Sequence, residues 1–197
     1  MKRIVSISGT SRPDNYTSLA LAVVNDELRK NDIEVIVIDA RALNLPFPGH
    51  PDTEDAVQLR SKIKSADGVV LATPEYHGTF CAMVKLIIEN LGFPSAFSNK
   101  PVALLGVAGG RIGAIKSIEQ LRGVCAHTGA IVIPNAISIA GVRSAFDEDG
   151  NCTDPGSEKA LRGLAQSLLR FLKDYVYPKQ TLEAMVREEG KPWATSA

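Results

Sequence analysis

The chain has 197 residues, with 22 Lys and Arg against 22 Asp and Glu, so its formal net charge is zero. This balance provides no chain-wide attraction for nucleic acid or for an anionic membrane surface, and we predict neither as a partner. No apolar run approaches the roughly 18–20 residues that a membrane span needs, and the N-terminus does not resemble a signal peptide. We therefore expect a single cytoplasmic domain with a C-terminal tail.

Apolar strands and amphipathic helices alternate along most of the chain. Residues 3–8 form a β-branched run typical of a buried strand, and residues 18–30 place Leu21, Val24 and Leu28 on one helix face. Further strands are predicted at 33–38, 68–73, 102–107 and 130–139, the last interrupted at Pro134, and further helices at 54–65, 81–91, 115–125 and 161–175. This succession predicts an α/β fold: a doubly wound, five-stranded parallel sheet in the order 2-1-3-4-5, with helices on both faces.

The predicted elements end near residue 177. We therefore expect one domain over residues 1–177 and a charged C-terminal extension over residues 178–197, in which Leu182, Met185 and Val186 could share one short helix. The extension is either a partly ordered appendage or an arm that packs between subunits, and the sequence leaves both open.

Three polar or glycine-rich loops follow the first, third and fourth predicted strands. Because the carboxyl ends of parallel strands meet at one edge of a sheet, residues 9–17, 74–78 and 108–113 are expected to lie together and to form a ligand site. No metal is expected there, since the three cysteines form no Cys-x-x-Cys pair and the three histidines have no partner at ligand spacing.

The first loop has the residues of an anion site. It combines hydroxyl groups, the Asn15 amide and the Arg12 guanidinium immediately before a helix N-terminus, where unpaired N–H groups and the helix dipole favour negative charge. The patterns Gly-x-x-x-x-Gly-Lys and Gly-x-Gly-x-x-Gly are both absent, which argues against ATP and against an ordinary dinucleotide-binding fold. The alternative is that Thr17 is simply an N-cap and Arg12 a solvated charge.

The second loop could accept a planar ligand. Pro74 bends the strand end, and Gly78 allows close approach of a ring to the backbone. Tyr76 could equally be a surface aromatic residue, and a purely local hydrogen bond is the simpler role for His77.

The third loop is rich in glycine. Gly109 and Gly110 could direct backbone amides at a carbonyl-rich ligand edge, and Arg111 could reach a second anion. The alternative is a glycine-rich entry to the following helix.

These loops resemble those of the NADPH-dependent FMN reductase family, flavodoxin-like flavoproteins that include chromate, quinone and azo-dye reductases. The resemblance covers about residues 3–176 and is most specific over 9–12, 15–17, 73–78 and 109–113. It implies that the first loop holds the FMN phosphate, the second carries the isoalloxazine ring and the third closes over the ring edge. The implied cofactor-binding residues are Thr10, Ser11, Arg12, Asn15, Tyr16, Thr17, Pro74, Glu75, Tyr76, His77, Gly78, Gly109, Gly110 and Arg111. The family usually has Ser where this chain has Thr10 and often Asn in place of His77.

The resemblance also implies an activity. NADPH, or NADH, would reduce bound FMN, and a small-molecule acceptor such as a quinone, flavin, azo compound or metal oxyanion would reoxidise it by a ping-pong mechanism. No catalytic side chain is assigned, because the cofactor carries the chemistry. A homodimer or homotetramer is also implied, with Met83 to Phe97 as the apolar surface unless that segment is an ordinary core helix.

Two other functions share this topology. A flavodoxin-type electron carrier would bind FMN without using a pyridine nucleotide, but flavodoxins tend to be acidic and their phosphate loop lacks a residue such as Arg12. A response-regulator-like domain would need an acidic residue at the end of the third strand, where this chain has Thr73 and Pro74.

Overall fold

The computed structural model describes residues 2–188, so residues 189–197 of the predicted extension lie outside the described part of the chain. Within that part, the strands are β1 (Arg3–Ser8), β2 (Glu34–Asp39), β3 (Gly68–Tyr76), β4 (Thr79–Phe80), β5 (Pro101–Val107), β6 (Ile131–Val132) and β7 (Ile137–Ile139). The α-helices are α1 (Tyr16–Arg29), α2 (Glu54–Ser65), α3 (Ala82–Glu89), α4 (Ile115–His127), α5 (Pro155–Phe171) and α6 (Tyr177–Glu188).

The sheet has the predicted parallel order. Strands β2, β1, β3 and β5 are adjacent in that sequence, and both β6 and β7 pair in parallel with β5. The fifth predicted strand is therefore split into β6 and β7. Ile133 still donates its N–H to the Val102 carbonyl at 3.0 Å, whereas Pro134 has no N–H to continue the ladder.

The third strand runs three residues beyond its predicted end. It continues through Pro74, Glu75 and Tyr76 because the chain then folds back into β4, which pairs antiparallel with β3. His77 and Gly78 make the turn with φ values of 52° and 76°, the conformation of a two-residue hairpin of type I′. The second predicted loop is therefore the arm and turn of a short hairpin.

Helices cover both faces of the sheet because alternate residues of each strand point to opposite sides. On β1, Val5 and Ile7 pack in the core under α2, α3 and α4, whereas Ile4 packs in the core under α1 and α5. The segment Met83 to Phe97 belongs largely to the first core, since Ile87, Leu91 and Phe97 are fully buried. The core alternative is thus correct for those residues.

The two C-terminal helices are continuous with each other. Helix α5 is followed directly by a π-helical segment, Leu172–Val176, and then by α6. The extension predicted to begin at residue 178 therefore starts within α6. Leu182, Met185 and Val186 all lie in α6, where Val186 is buried and the other two are exposed. Within residues 2–188, no helix combines the length and apolar character needed to cross a membrane.

Candidate functional site

The carboxyl ends of β1, β3, β5 and β7 surround a cavity of about 330 Å³, a volume at the small end of ordinary ligand sites. All three predicted loops contribute to it. The lining residues are Arg12, Asp14, Asn15, Tyr16, Thr17, Pro74, Glu75, Tyr76, Val107, Ala108, Gly109, Val142 and Arg143. Six other residues of the predicted site lie outside this lining: Thr10, Ser11, His77, Gly78, Gly110 and Arg111.

The first loop leaves the sheet through a very tight passage at Gly9. A Cβ at this position would lie 2.3 Å from Cγ2 of Val84 and 2.6 Å from the carbonyl oxygen of Ala72. The Gly9 N–H donates to that same Ala72 carbonyl at 2.9 Å, and the buried Cys81 thiol donates to the Gly9 carbonyl at 2.6 Å. Only glycine fits, and these bonds hold the start of the loop against β3 and α3.

Asn15 organises the N-terminus of α1. Its Oδ1 accepts the Ser18 N–H at 2.8 Å and its Nδ2 donates to the Arg12 carbonyl at 2.8 Å. Asn15 rather than Thr17 is therefore the N-cap, and helix geometry leaves the N–H groups of Tyr16 and Thr17 without intrahelical acceptors. The positive end of the α1 dipole faces the cavity.

Thr10 stabilises the first loop by a hydrogen bond within it. It is buried, and its Oγ1 accepts the Arg12 N–H at 3.2 Å, so it supports the turn that carries Arg12 without lining the cavity itself.

Hydrogen bonds from neighbouring segments hold the end of β3 in place. Thr73 is buried, accepts the Cys81 N–H at 3.3 Å and donates to the Pro74 carbonyl at 2.9 Å. Glu75 Oε2 accepts the N–H of Ser117 in the first turn of α4 at 3.1 Å, where the helix dipole favours its negative charge.

The hairpin turn faces α4 instead of the cavity. Gln120 Nε2 donates to the Gly78 carbonyl at 3.1 Å, and the Thr79 hydroxyl donates to Gln120 Oε1 at 2.6 Å. The structure thus places His77 and Gly78 in the turn, while Tyr76, which is exposed, lines the cavity.

The third loop is bound to the segment that follows β7. The Ala108 N–H donates to Ile139 at 2.9 Å, the Val142 N–H to Ala108 at 3.0 Å, and the Gly141 N–H to the Gly110 carbonyl at 3.0 Å. These bonds bring Val142 and Arg143 to the cavity beside Gly109. A Cβ on Gly109 would lie 3.5 Å from Nε of Arg143, which shows how closely the guanidinium covers this loop.

Five lining residues were absent from the predicted cofactor-binding residues: Asp14, Val107, Ala108, Val142 and Arg143. Asp14 lies within the first predicted loop. The signal that could have identified Arg143 is its position just after the fifth predicted strand, whose carboxyl end lies beside that of the fourth in a sheet of order 2-1-3-4-5.

The cavity contains two cations, Arg12 and Arg143, and two carboxylates, Asp14 and Glu75. Among the ion pairs formed within residues 2–188, none involves Arg12 or Arg143. Four other arginines are paired there: Arg3, Arg41, Arg60 and Arg162. The two cavity arginines therefore keep their hydrogen-bond donors available for a ligand.

A doubly wound parallel sheet with a ligand cavity at its carboxyl edge defines a flavodoxin-like α/β protein. The sequence profile described as NADPH-dependent FMN reductase matches residues 2–143, and the chain belongs to this family. It is accordingly an oxidoreductase that uses FMN and NADPH.

Individual relatives are similar over nearly their whole length. An NADPH azoreductase of Bacillus sp. (strain OY1-2) is 31% identical over 180 residues, covering 91% of this chain and 98% of the relative. An FMN-dependent NADPH-azoreductase of Staphylococcus aureus is 29% identical over 187 residues, covering 90% and 98%. Among solved structures, the flavoenzyme NAD(P)H:(acceptor) oxidoreductase FerB from Paracoccus denitrificans shares the fold with a TM-score of 0.73 at 23% identity, covering 89% of this chain and 99% of that one.

Proposed function

We propose that the cavity binds FMN and that the protein passes electrons from NADPH, or NADH, through this FMN to a small acceptor. Candidate acceptors are quinones, flavins, metal oxyanions and azo compounds, the last supported by the two azoreductases to which the chain is similar. The observation that carries the proposal is the placement of Arg12 and the α1 N-terminus in the same cavity as Tyr76 and Gly109.

The residues of the cavity fit the three parts of FMN. A dianionic phosphate suits the Arg12 guanidinium and the free N–H groups at the start of α1. A flat ring suits the wall formed by residues 74–76, and its edge could meet the third loop where Gly109 and the Arg143 side chain lie next to each other. In this proposal Thr10 does not contact the phosphate but supports the turn that carries Arg12.

Bound FMN supplies the hydride-accepting and electron-donating chemistry. The protein's part is to hold the phosphate, orient the ring and leave one face open to solvent. Because FMN supplies this chemistry, the cavity does not need an acid–base pair of the kind found in hydrolases.

Substitution of Arg12 tests the assignment of the phosphate. Hydrogen bonds to charged groups contribute about 1.5–3 kcal/mol, so Arg12→Ala is expected to weaken FMN binding by roughly tenfold or more. Riboflavin, which lacks the phosphate, should lose far less affinity. Quenching of flavin fluorescence on titration with protein measures both affinities.

Arg29→Ala is the matched control, because Arg29 lies in the last turn of the same helix, at the end opposite the cavity. It should bind both flavins as the parent protein does. Equal losses of FMN and riboflavin affinity in Arg12→Ala would place the phosphate elsewhere, and the absence of saturable FMN binding by the parent protein would refute the proposed function.

A homodimer or homotetramer is also part of the proposal. Phe47 and Phe93 support it, since their exposed fractions are 71% and 104%, both line one surface pocket, and contiguous exposed apolar groups commonly mark association surfaces. Sedimentation equilibrium tests this point, and a monomer at micromolar concentration would contradict it.

A further inference from the structure

We propose that Arg143 supplies the positive charge that stabilises the reduced state of the bound flavin, by lying against the N1–C2=O edge of the ring. The inference rests on the proposed FMN site and adds to it a residue from outside the three loops. It is carried by the position of Arg143, by the rigidity of its turn and by the absence of a carboxylate partner within residues 2–188.

The position of Arg143 separates it from the phosphate end of the cavity. Arg12 follows β1, whereas Arg143 follows β7, and β3 and β5 lie between those two strands. Neighbouring strands are about 4.8 Å apart, so the two strand ends are separated by roughly 14 Å. In the proposed site, Arg12 and the N-terminus of α1 already bind the phosphate. Arg143 instead lies next to Gly109 of the third loop, with its Nε 3.5 Å from the position that a Cβ on Gly109 would take.

The turn that carries Arg143 is built to hold its backbone in place. Gly141 adopts a left-handed conformation with φ of 54° and begins the 3₁₀ turn Val142–Ser144. The Ser144 hydroxyl and N–H both donate to the Gly141 carbonyl at 2.9 Å, and the Val142 side chain is buried in the core. The N–H groups of Gly141 and Val142 also donate to carbonyls of the third loop, so the turn is hydrogen-bonded to that loop as well. The base of the Arg143 side chain is therefore preorganised before any ligand binds.

The chemistry of the flavin explains why a cation would be useful here. Two-electron reduction of FMN at N5 adds negative charge that is concentrated at N1 and the C2 carbonyl. A fixed positive charge beside that edge favours the reduced form over the oxidised form. Within residues 2–188, neither cavity carboxylate, Asp14 or Glu75, forms an ion pair with Arg143, and Glu75 is instead hydrogen-bonded to the N-terminus of α4.

Sulfite affinity measures this stabilisation without turnover. Sulfite forms a bond from its sulfur lone pair to flavin N5, and the displaced ring electron pair leaves negative charge at N1–C2=O, so adduct formation responds to the same cation. The FMN-loaded protein is titrated with sulfite and the loss of visible flavin absorbance gives the dissociation constant. Arg143→Ala is expected to weaken sulfite binding by roughly tenfold or more, because a charged hydrogen-bond partner is lost.

The two-electron midpoint potential provides an independent readout. A tenfold loss in stabilisation of the reduced form corresponds to about 30 mV, so the potential of Arg143→Ala should fall by at least that amount. Arg143→Lys, which keeps the charge, should recover much of both losses. Arg29→Ala, with the same change in net charge far from the cavity, should leave the sulfite affinity and the potential at parent values.

The possible results separate this inference from the proposed function. If the parent protein binds no FMN, the proposed function itself is wrong. If FMN binds but Arg143→Ala keeps the parent sulfite affinity and potential, the role of Arg143 is wrong. A selective loss of FMN over riboflavin affinity would assign Arg143 to the phosphate. A loss of kcat/KM for NADPH but not for NADH, at unchanged sulfite affinity, would assign it to the nucleotide. Either of these results overturns the inference.

Discussion

Gly9 shows how a single residue sets the geometry of the first loop. Two groups, the Val84 side chain and the Ala72 carbonyl, already occupy the space that a Cβ would need. One of them is backbone in the centre of the sheet and cannot move without disturbing β3. The close approach of the first loop to β3 therefore depends on the lack of a side chain at residue 9.

Gly9→Ala is expected to lower the free energy of unfolding by about 1–3 kcal/mol, the usual cost of overpacking a buried site. Urea denaturation measures this loss. Adding Val84→Ala should recover only part of it, because the contact with the Ala72 carbonyl remains.

Gly123→Ala is the control for Gly9→Ala. Gly123 lies within α4, and no heavy atom lies within 4 Å of the Cβ it lacks. Alanine there should raise stability by up to about 1 kcal/mol, since it has the higher helix propensity. Unchanged stability of Gly9→Ala would show that the sheet and α3 yield more readily than the geometry indicates.

Cysteine chemistry has no evident part in this site. Burial raises the pKa of Cys125 to about 12, and burial is also the main reason that the pKa of Cys152 is raised. A thiol with a raised pKa provides little thiolate near neutral pH. Cys81 uses its thiol as a hydrogen-bond donor to the Gly9 carbonyl, which is a structural role.

At the scale of elements, a cluster of charges joins α1 to α5. Arg162 of α5 donates to Asp26 at 2.7 Å and to Glu27 at 3.2 Å on α1, and to Glu158 on its own helix at 2.9 Å. Hydrogen bonds from Lys30 and then Arg162 lower the pKa of Asp26. The hydrogen bond from Gln166 is the largest cause of the lowered pKa of Glu27, and Arg162 adds to it. The cluster helps to hold α1, whose N-terminus forms one wall of the cavity.

Because these carboxyl groups have a lower pKa in the folded protein than their ordinary values of 3.8 and 4.5, their stabilising effect is present above those values. It is lost as the pH falls through the folded-state pKa values. Arg162→Met is therefore expected to reduce the free energy of unfolding by about 0.5–1 kcal/mol at pH 7, a modest amount because the pairs are partly exposed. The difference from the parent protein should shrink below about pH 4.

Urea denaturation at pH 7 and at pH 3 measures both effects. Arg170→Met is the control, since Arg170 lies on the same helix and takes part in none of the ion pairs described above. A difference between parent and Arg162→Met that is independent of pH would mean that the side chain acts through packing alone.

At the scale of the molecule, the parallel sheet gathers segments that are far apart in the chain into one cavity. Residues 12 and 143 line the same space because β1, β3, β5 and β7 all end at one edge. If NADPH and the acceptor both stack on the same face of bound FMN, they must occupy it in turn, and we therefore predict a ping-pong mechanism.

Steady-state kinetics with a quinone and NADPH are accordingly expected to give parallel lines in double-reciprocal plots. In an anaerobic half-reaction, NADPH alone should bleach the bound flavin within seconds. Intersecting lines would indicate that both substrates bind together. A flavin that stays oxidised until a partner reductase is added would favour the electron carrier.

The sequence by itself determined the class of fold, the strand order and the three loops, because strand and helix periodicity and turn chemistry are local properties of the chain. It also predicted the break at Pro134, since proline cannot donate a ladder hydrogen bond. Arg12, Tyr76 and Gly109, one from each of the three predicted loops, line the same cavity, and their role in binding FMN stays a prediction.

Only the tertiary structure decided which residues face that cavity. His77 and Gly78 turn away because β3 pairs with β4, and Gly110 and Arg111 lie outside because their loop is bound to the segment after β7. Arg143 enters for the same reason: its position depends on the pairing of β5 with β7, a contact between residues about thirty positions apart in sequence. Such contacts are set by the packing of the whole sheet, and no local window of the sequence contains them.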